Sequence, residues 1–213
     1  GCTDSEACNY DEAANIDDGS CDYSCHDNGN YSLSFDGVDD YIDIGNQSDF
    51  DIQDAITISV LVKPDDLQTT SIIDKMSQSG IGYRLALRAG DYGVEETGVV
   101  WSSFGPAQFV TSDINSYIPG EYIEVTGVWK NNSYIKLFLD GILVSESPTN
   151  QSYDINHSLE FGRLSYDSEI TEHLKGDIHR VAFWDIELTE SEINLISNLD
   201  EIPNENNLVG NWR

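Results

Sequence analysis

Apolar and polar residues alternate along most of this chain in short runs, broken at roughly ten-residue spacing by Gly, Asp, Asn and Pro. In residues 31–45, Leu33 and Phe35 alternate with Ser32 and Ser34, the chain turns at Asp36-Gly37, and Ile42 and Ile44 resume the apolar side. Period two around a turn predicts antiparallel strands with one buried and one wet face. Residues 56–63 alternate in the same way and stop at Pro64-Asp65-Asp66. Further strands are predicted at 71–75, 83–88, 98–102, 122–129 and 134–139. Asp140-Gly141 supplies a two-residue hairpin turn, and 142–145 return from it. Many short strands so spaced predict an all-β fold, an antiparallel jelly-roll sandwich. Trp129 and Trp184 fall on inward positions and are expected in its core. One short helix is expected near the C-terminus. Thr189 is a good N-cap with Glu192 three residues on, and Leu195, Ile196 and Leu199 give an apolar edge. Residues 206–213 are expected to form an edge strand leading to a further module.

Charge changes the picture most. Ten Lys and Arg stand against 39 Asp and Glu, a net charge of −29, and no Lys or Arg precedes Lys63. Such a surface has no basic patch to replace phosphate counterions, so nucleic acid and anionic membranes are poor partners. It attracts divalent cations instead. No apolar run reaches the length of about 18 residues that a membrane span needs. The chain begins with Gly and shows no signal peptide, which reads as a mature product or an excised fragment.

All four cysteines, Cys2, Cys8, Cys21 and Cys25, lie at the start of the chain. An even number in a short polar segment reads as a disulfide framework made in an oxidising compartment. No zinc spacing occurs. Only Ala7, Tyr10, Ala13, Ala14 and Ile16 are available for an apolar centre, so residues 1–25 need covalent or metal staples. Asp4, Asn9, Asp11, Asn15, Asp17 and Asp18 are hard oxygen ligands at short intervals, as calcium requires, although the spacing is not that of an EF-hand. The segments Gly1-Cys2-Thr3-Asp4, Ala7-Cys8-Asn9-Tyr10 and Asp17-Asp18-Gly19-Ser20-Cys21 resemble a Cys/Asp-rich repeat of secreted, multidomain surface proteins of marine Bacteroidetes. That resemblance implies an extracellular spacer stiffened by calcium, exported to the cell surface by the type IX route. Three cysteine pairings are open, of which Cys8–Cys21 with Cys2–Cys25 is preferred. The expected organisation is this unit at 1–25, a turn-rich linker at 26–30 and a sandwich at 31–213.

The sandwich resembles the laminin-G-like family of concanavalin A-type jelly rolls. The resemblance rests on the opening 31–45, on Ile123–Trp129 followed by Ile135–Gly141, and on Leu159–Arg163, Leu174–Trp184 and Leu188–Ile193. It implies a module that binds or adheres. In relatives, acids at the first turn and on the closing strand hold a structural calcium. Asp36, Asp39 and Asp40 stand at the first place. At the second, His179 and Arg180 replace the usual acidic pair, leaving Asp177 as a substitute.

Chemistry is sparse. The relatives that are glucanases carry Glu-x-Asp-x-x-Glu on one strand, and retaining hydrolysis needs two carboxyls about 5 Å apart. Here Asp43 is alone on its strand, and Glu121 and Glu124 point to opposite faces. No nucleophile elbow or His-Glu-x-x-His pair occurs, and His26, His157, His173 and His179 are scattered. A non-enzymatic module is expected. Sugar recognition uses aromatic platforms beside polar groups, which singles out Trp101, Phe104, Tyr83, Tyr92 and Arg84. Against this, Trp101 and Tyr83 also fit the core. Five Asn-x-Ser sequons, at Asn30, Asn46, Asn131, Asn150 and Asn156, mark polar loops. The function expected is binding of an extracellular glycan or surface protein. The alternative is a structural spacer stacking on neighbouring copies.

Overall fold

The computed structural model describes residues 1–5, 7–22, 32–77, 81–89, 97–103, 109–113, 115–149, 156–166, 169–199 and 201–212. The chain divides into two compact units, one ending at residue 31 and one running from Ser32 to Trp212. The expected linker 26–30 lies outside the described residues, as does Cys25.

The first unit is held by cross-links and backbone hydrogen bonds rather than by a core. Only Cys2 and Ala7 are buried among its described residues, while Ile16 is 79% exposed and Tyr10 is exposed too. The disulfide joins Cys2 to Cys21, with the Cα atoms 4.8 Å apart. This corrects the preferred pairing: Cys21 closes on Cys2, not on Cys8. Cys8 is also disulfide-bonded. The two ends of the unit are laced together around that bond. Cys8 N donates to Asp22 O at 2.7 Å, and Asp11 N donates to Cys2 O at 3.0 Å. Asn9 accepts from Asp22 N through Oδ1 at 2.8 Å and donates to Ser20 O through Nδ2 at 2.6 Å.

The second unit is the all-β antiparallel sandwich. Its strands are β1 (Leu33–Asp36), β2 (Ile42–Gly45), β3 (Ala55–Pro64), β4 (Thr70–Met76), β5 (Gly82–Ala89), β6 (Thr97–Ser103), β7 (Phe109–Thr111) and β8 (Ile123–Lys130). They continue with β9 (Tyr134–Leu139), β10 (Ile142–Pro148), β11 (Leu159–Phe161), β12 (Arg163–Tyr166), β13 (Glu169–His173) and β14 (Lys175–Trp184). The one α-helix among the described residues, α1 (Glu190–Leu199), precedes β15 (Leu208–Trp212). One sheet runs β1-β14-β3-β8-β9-β10, with β15 also paired to β14. The other runs β2-β11-β4-β5-β6-β7, and β12-β13 form a separate hairpin. The Asp140-Gly141 turn joins β9 to β10 with φ of 48° and 77°.

Inward positions follow the period of two. Ile56, Ile58, Val60 and Val62 of β3 share one buried cluster with Tyr83, Leu85 and Leu87 of β5 and with Val99 and Trp101 of β6. The sheets approach closely at Gly127. A Cβ there would stand 2.6 Å from the Trp101 ring, so only glycine lets the indole lie flat on β8. The Trp101 Nε1 then donates to Val128 O at 3.2 Å. Phe35 goes inside as expected, but Leu33 stays 47% exposed because it opens an edge strand with a neighbour on one side only. The Leu159–Arg163 segment divides at Gly162 into β11 and β12.

Helix α1 closes the outer face of the first sheet. Ile193 and Ile196 pack on Val128, Phe138, Ala182 and Trp184. Its predicted capping box forms: Glu192 N donates to Thr189 Oγ1 at 3.3 Å, and Thr189 N donates back to Glu192 Oε2 at 2.7 Å.

Each sheet carries a buried arginine–carboxylate pair on its outward face. Beneath α1, Arg180 of β14 meets Glu124 of β8 at 2.6 Å, both side chains 3% exposed. Ser59 Oγ donates to the other Glu124 oxygen at 2.5 Å. Burial pushes the Glu124 carboxyl above its ordinary range, opposed by Arg180 and Ser59. On the second sheet Arg84 Nε donates to Asp74 Oδ2 at 2.9 Å, and Ser71 Oγ reaches the same oxygen at 3.1 Å. Burial raises the Asp74 carboxyl from 3.8 to about 6 despite Arg84.

Two outcomes follow. Arg180→Ala, which strands a buried carboxylate, should cost roughly 3–5 kcal/mol in urea unfolding, whereas an apolar double replacement, Arg180→Met with Glu124→Leu, should recover most of it. Asp74 holds its proton more tightly folded than unfolded. Its contribution therefore favours the fold below about 4 and is lost as pH rises through about 6. Unfolding free energy measured across that window should fall in the wild type, and the slope should flatten in Asp74→Asn.

Candidate functional site

Register brings one outward row of residues together across the whole second sheet. Glu160 of β11 stands opposite Asp43 of β2 and Asp74 of β4. Asp74 stands opposite Arg84 of β5, Arg84 opposite Ser102 of β6, and Ser102 opposite Phe109 of β7. Directly opposed residues of antiparallel strands share a face. Five strand spacings of about 4.8 Å make this row about 24 Å long. Its middle is a floor of ion pairs, with Asp74 and Glu160 nearly buried, while its ends reach solvent: Asp43 is exposed and Phe109 is 52% exposed.

A second pair flanks the first. Arg163 grips Glu160 with two hydrogen bonds, Nε to Oε2 at 2.7 Å and Nη2 to Oε1 at 2.5 Å. The same guanidinium lies over the Tyr41 ring, 3.4 Å from its centroid. Tyr41 is two residues before Asp43 and so on its face, and it remains 44% exposed. Sequence reading missed Asp43, Glu160 and Asp74 as a group, because they come from three strands distant in the chain. The signal available was their outward parity on those strands.

Beside Tyr41 is the turn joining β1 to β2. The carboxylates of Asp36, Asp39 and Asp40 are exposed and offer oxygens within 4.8 Å of one another. Backbone amides hold two of them: Val38 N donates to Asp36 Oδ1 at 2.7 Å, and Asp36 N donates to Asp40 Oδ2 at 3.0 Å. Asp177 is not part of this group. It pairs with Lys63, whose hydrogen bond holds the Asp177 carboxyl below its ordinary range against the opposing effect of burial. The basic pair on the closing strand has structural partners of its own. Arg180 neutralises Glu124, and His179 packs edge-on against Tyr122.

The other expected site residues fall elsewhere. Trp101 and Tyr83 are fully buried, one bonded to Val128 O and the other to Phe50 O. They offer no platform to a ligand, which corrects that expectation. Arg84 is a partner of buried Asp74 rather than a rim residue. Phe104 and Tyr92 lie outside the described residues. In the first unit, Asp11, Asp17 and Asp18 each use Oδ1 to accept the amide two residues on, from Ala13, Gly19 and Ser20. Asn15 Nδ2 donates to Ala13 O, the Asp4 carbonyl accepts from Ala7 N, and both Asn9 groups are bonded to backbone. Among the described residues, no three acidic ligands of that unit converge as Asp36, Asp39 and Asp40 do. A separate cleft of about 350 Å³, unforeseen from sequence, is lined by Asp49, Asp51, Asp54 and Asp185 with Ile52 and Val209.

No curated protein matches the sequence. Solved structures share the sandwich. A heptameric SAP-like pentraxin of Limulus polyphemus is 14% identical over 81% of this chain and 84% of that one, with a TM-score of 0.63. The CBM40 domain of the Ruminococcus gnavus IT-sialidase, bound to α2,3-sialyllactose, is 11% identical over 79% of this chain and 98% of that one, with a TM-score of 0.60. Domain 4 of AbnA, an extracellular GH43 arabinanase of Geobacillus stearothermophilus, in complex with arabinotriose, is 17% identical over 68% of each chain, with a TM-score of 0.50. At these identities the likeness is one of fold. The family profile is more direct: it matches residues 36–194, three quarters of the sequence, and the chain belongs to the concanavalin A-like lectin/glucanases superfamily.

Proposed function

We propose that this protein is a non-catalytic, extracellular binding module for a polymeric glycan, stabilised by calcium at Asp36, Asp39 and Asp40. The observation that carries the reading is the outward row from Asp43 to Phe109, flanked at one end by Tyr41. Its length suits a chain rather than a single sugar. One open end sets the Asp43 carboxylate, an acceptor for sugar hydroxyls, beside exposed Tyr41, and the other carries exposed Phe109, the combination sugar sites use. Structural neighbours bound to sialyllactose and arabinotriose support the same reading. Asp74 and Glu160, opposed across β4 and β11, are each tied to an arginine. A pair so held lacks the free carboxylate nucleophile that retaining glycoside hydrolysis requires.

Calcium would take its oxygens from the three aspartates, with water completing six to eight ligands. Its part is to tie down the turn that leads into Tyr41 and Asp43. The oxidised cysteines fit an exported protein, and no helix among the described residues is long and apolar enough to cross a membrane. A role for residues 1–25 as a surface-protein spacer repeat is part of the same proposal.

A second reading, a spacer that stacks on copies of itself, rests on edge strand β10, where Ile142, Leu143 and Val144 are exposed in succession. Oligosaccharide binding separates the two. On the first reading, Asp43→Ala and Phe109→Ala each lower affinity about tenfold or more by calorimetry while leaving stability within about 0.5 kcal/mol. Calcium near 100 times its Kd raises unfolding free energy by about 2.7 kcal/mol, and Asp39→Asn with Asp40→Asn removes that gain. Absence of glycan binding together with concentration-dependent association in sedimentation overturns the first reading in favour of the second.

A further inference from the structure

The distribution of cations bears directly on which glycans the row takes. Nine of the ten Lys and Arg lie among the described residues, and eight of them pair with an acid. The ninth, Arg88, has interactions of its own. The remaining cation is the terminal Arg213. Residues 78–80, 90–96, 104–108, 114, 150–155 and 167–168 contain no Lys or Arg, whereas Asp91, Glu95, Glu96, Asp154 and Asp167 fall within them.

Resting on the glycan-binding reading, we infer that the ligand of the Asp43–Phe109 row is an uncharged glycan, free of carboxylate, sulfate and phosphate. Recognition of an acidic sugar along the row needs a cation on the row with capacity to spare, and the calcium proposed at Asp36, Asp39 and Asp40 belongs to the turn before it. By strand parity Arg88 of β5 shares this face, half-buried and with interactions of its own, and the two arginines beside the row, Arg84 and Arg163, are held by carboxylates. Arg84 and Arg163 are each 11% exposed, on carboxylates that are 3% and 10% exposed. A ligand carboxylate can recruit either guanidinium only by stranding Asp74 or Glu160 in a desolvated place, the arrangement that buried ion pairs resist most. Neutral hydroxyls meet no such obstacle. They donate to Asp43, which keeps one oxygen beyond the bond it accepts from Gly45 N, and charged acceptors make the stronger hydrogen bonds. The surrounding field acts in the same direction. A chain at −29 repels polyanions at range, within the screening length of about 8 Å at physiological salt.

The test uses the full chain in calcium against two matched panels. One holds neutral gluco-, manno-, galacto-, xylo- and arabino-oligosaccharides, and the other sialylated, uronate and sulfated ones. Each is read at low and high salt, about 50 and about 500 mM sodium chloride. Binding confined to the neutral panel is expected, with affinity changing less than about twofold between the two salt conditions. Tighter binding to any acidic member than to its neutral parent overturns the inference and leaves the glycan-binding reading standing. Silence on both panels, from protein shown folded by its thermal transition, overturns that reading and the inference with it.

Discussion

Ten cations have to hold together a chain that carries 39 acids. Every other feature of the sandwich is arranged within that constraint. Several pairs stand where a lone buried charge would be most costly: Arg180 on Glu124 under the helix, Arg84 on Asp74 and Arg163 on Glu160 across the second sheet, and Asp51 on Lys75. Lys75 is the extreme case. Its side chain is fully buried, and the amine bonds Asn46 Oδ1 at 3.0 Å and His157 O at 2.5 Å as well as Asp51 at 3.0 Å. Buried ions are tolerable only when paired and fully hydrogen-bonded, and here the pairs also tie strand to strand. What is left over is acid, spread over the turns, and a surface of that kind is set up for cations and hydroxyls rather than for anions.

Much of the fold was legible because its period is simple. The alternation on Ile56–Val62 and on Ile135–Leu139, the Asp140-Gly141 turn and the Thr189–Glu192 box are local statements, and each is met in the structure. The errors are non-local. Leu33 obeys the pattern but opens an edge strand, and nothing in its own segment reveals that. Trp101 and Tyr83 fit a ligand platform by residue type, yet Gly127, far along the chain, provides the slot that takes the Trp101 indole. The cysteine pairing escaped for the same reason, since spacing alone does not distinguish Cys2–Cys21 from its alternatives.

The site was the least legible part. Asp43, Glu160, Asp74 and Arg84 become neighbours only through a strand order in which β11 lies between β2 and β4, and order of that kind is not written in any one segment. The acidic turn was easier. Asp36, Asp39 and Asp40 are close in sequence, and the tight turn that makes them close in space was itself readable. Once the row is assembled, its chemistry follows from the residues: carboxylates neutralised in the middle, an aromatic and an open acid at the ends, and Arg84 and Arg163 each paired with an acid.

The most direct test of this account asks whether the arginines on that face are committed. Nitrogen-15 NMR of the Arg84 and Arg163 Nε–H groups reads it without any ligand, since both Nε atoms donate to carboxylates. Resolved signals exchanging far more slowly with water than an exposed arginine are the predicted result. Signals that merge with the exposed arginines and exchange as fast as they do would contradict it.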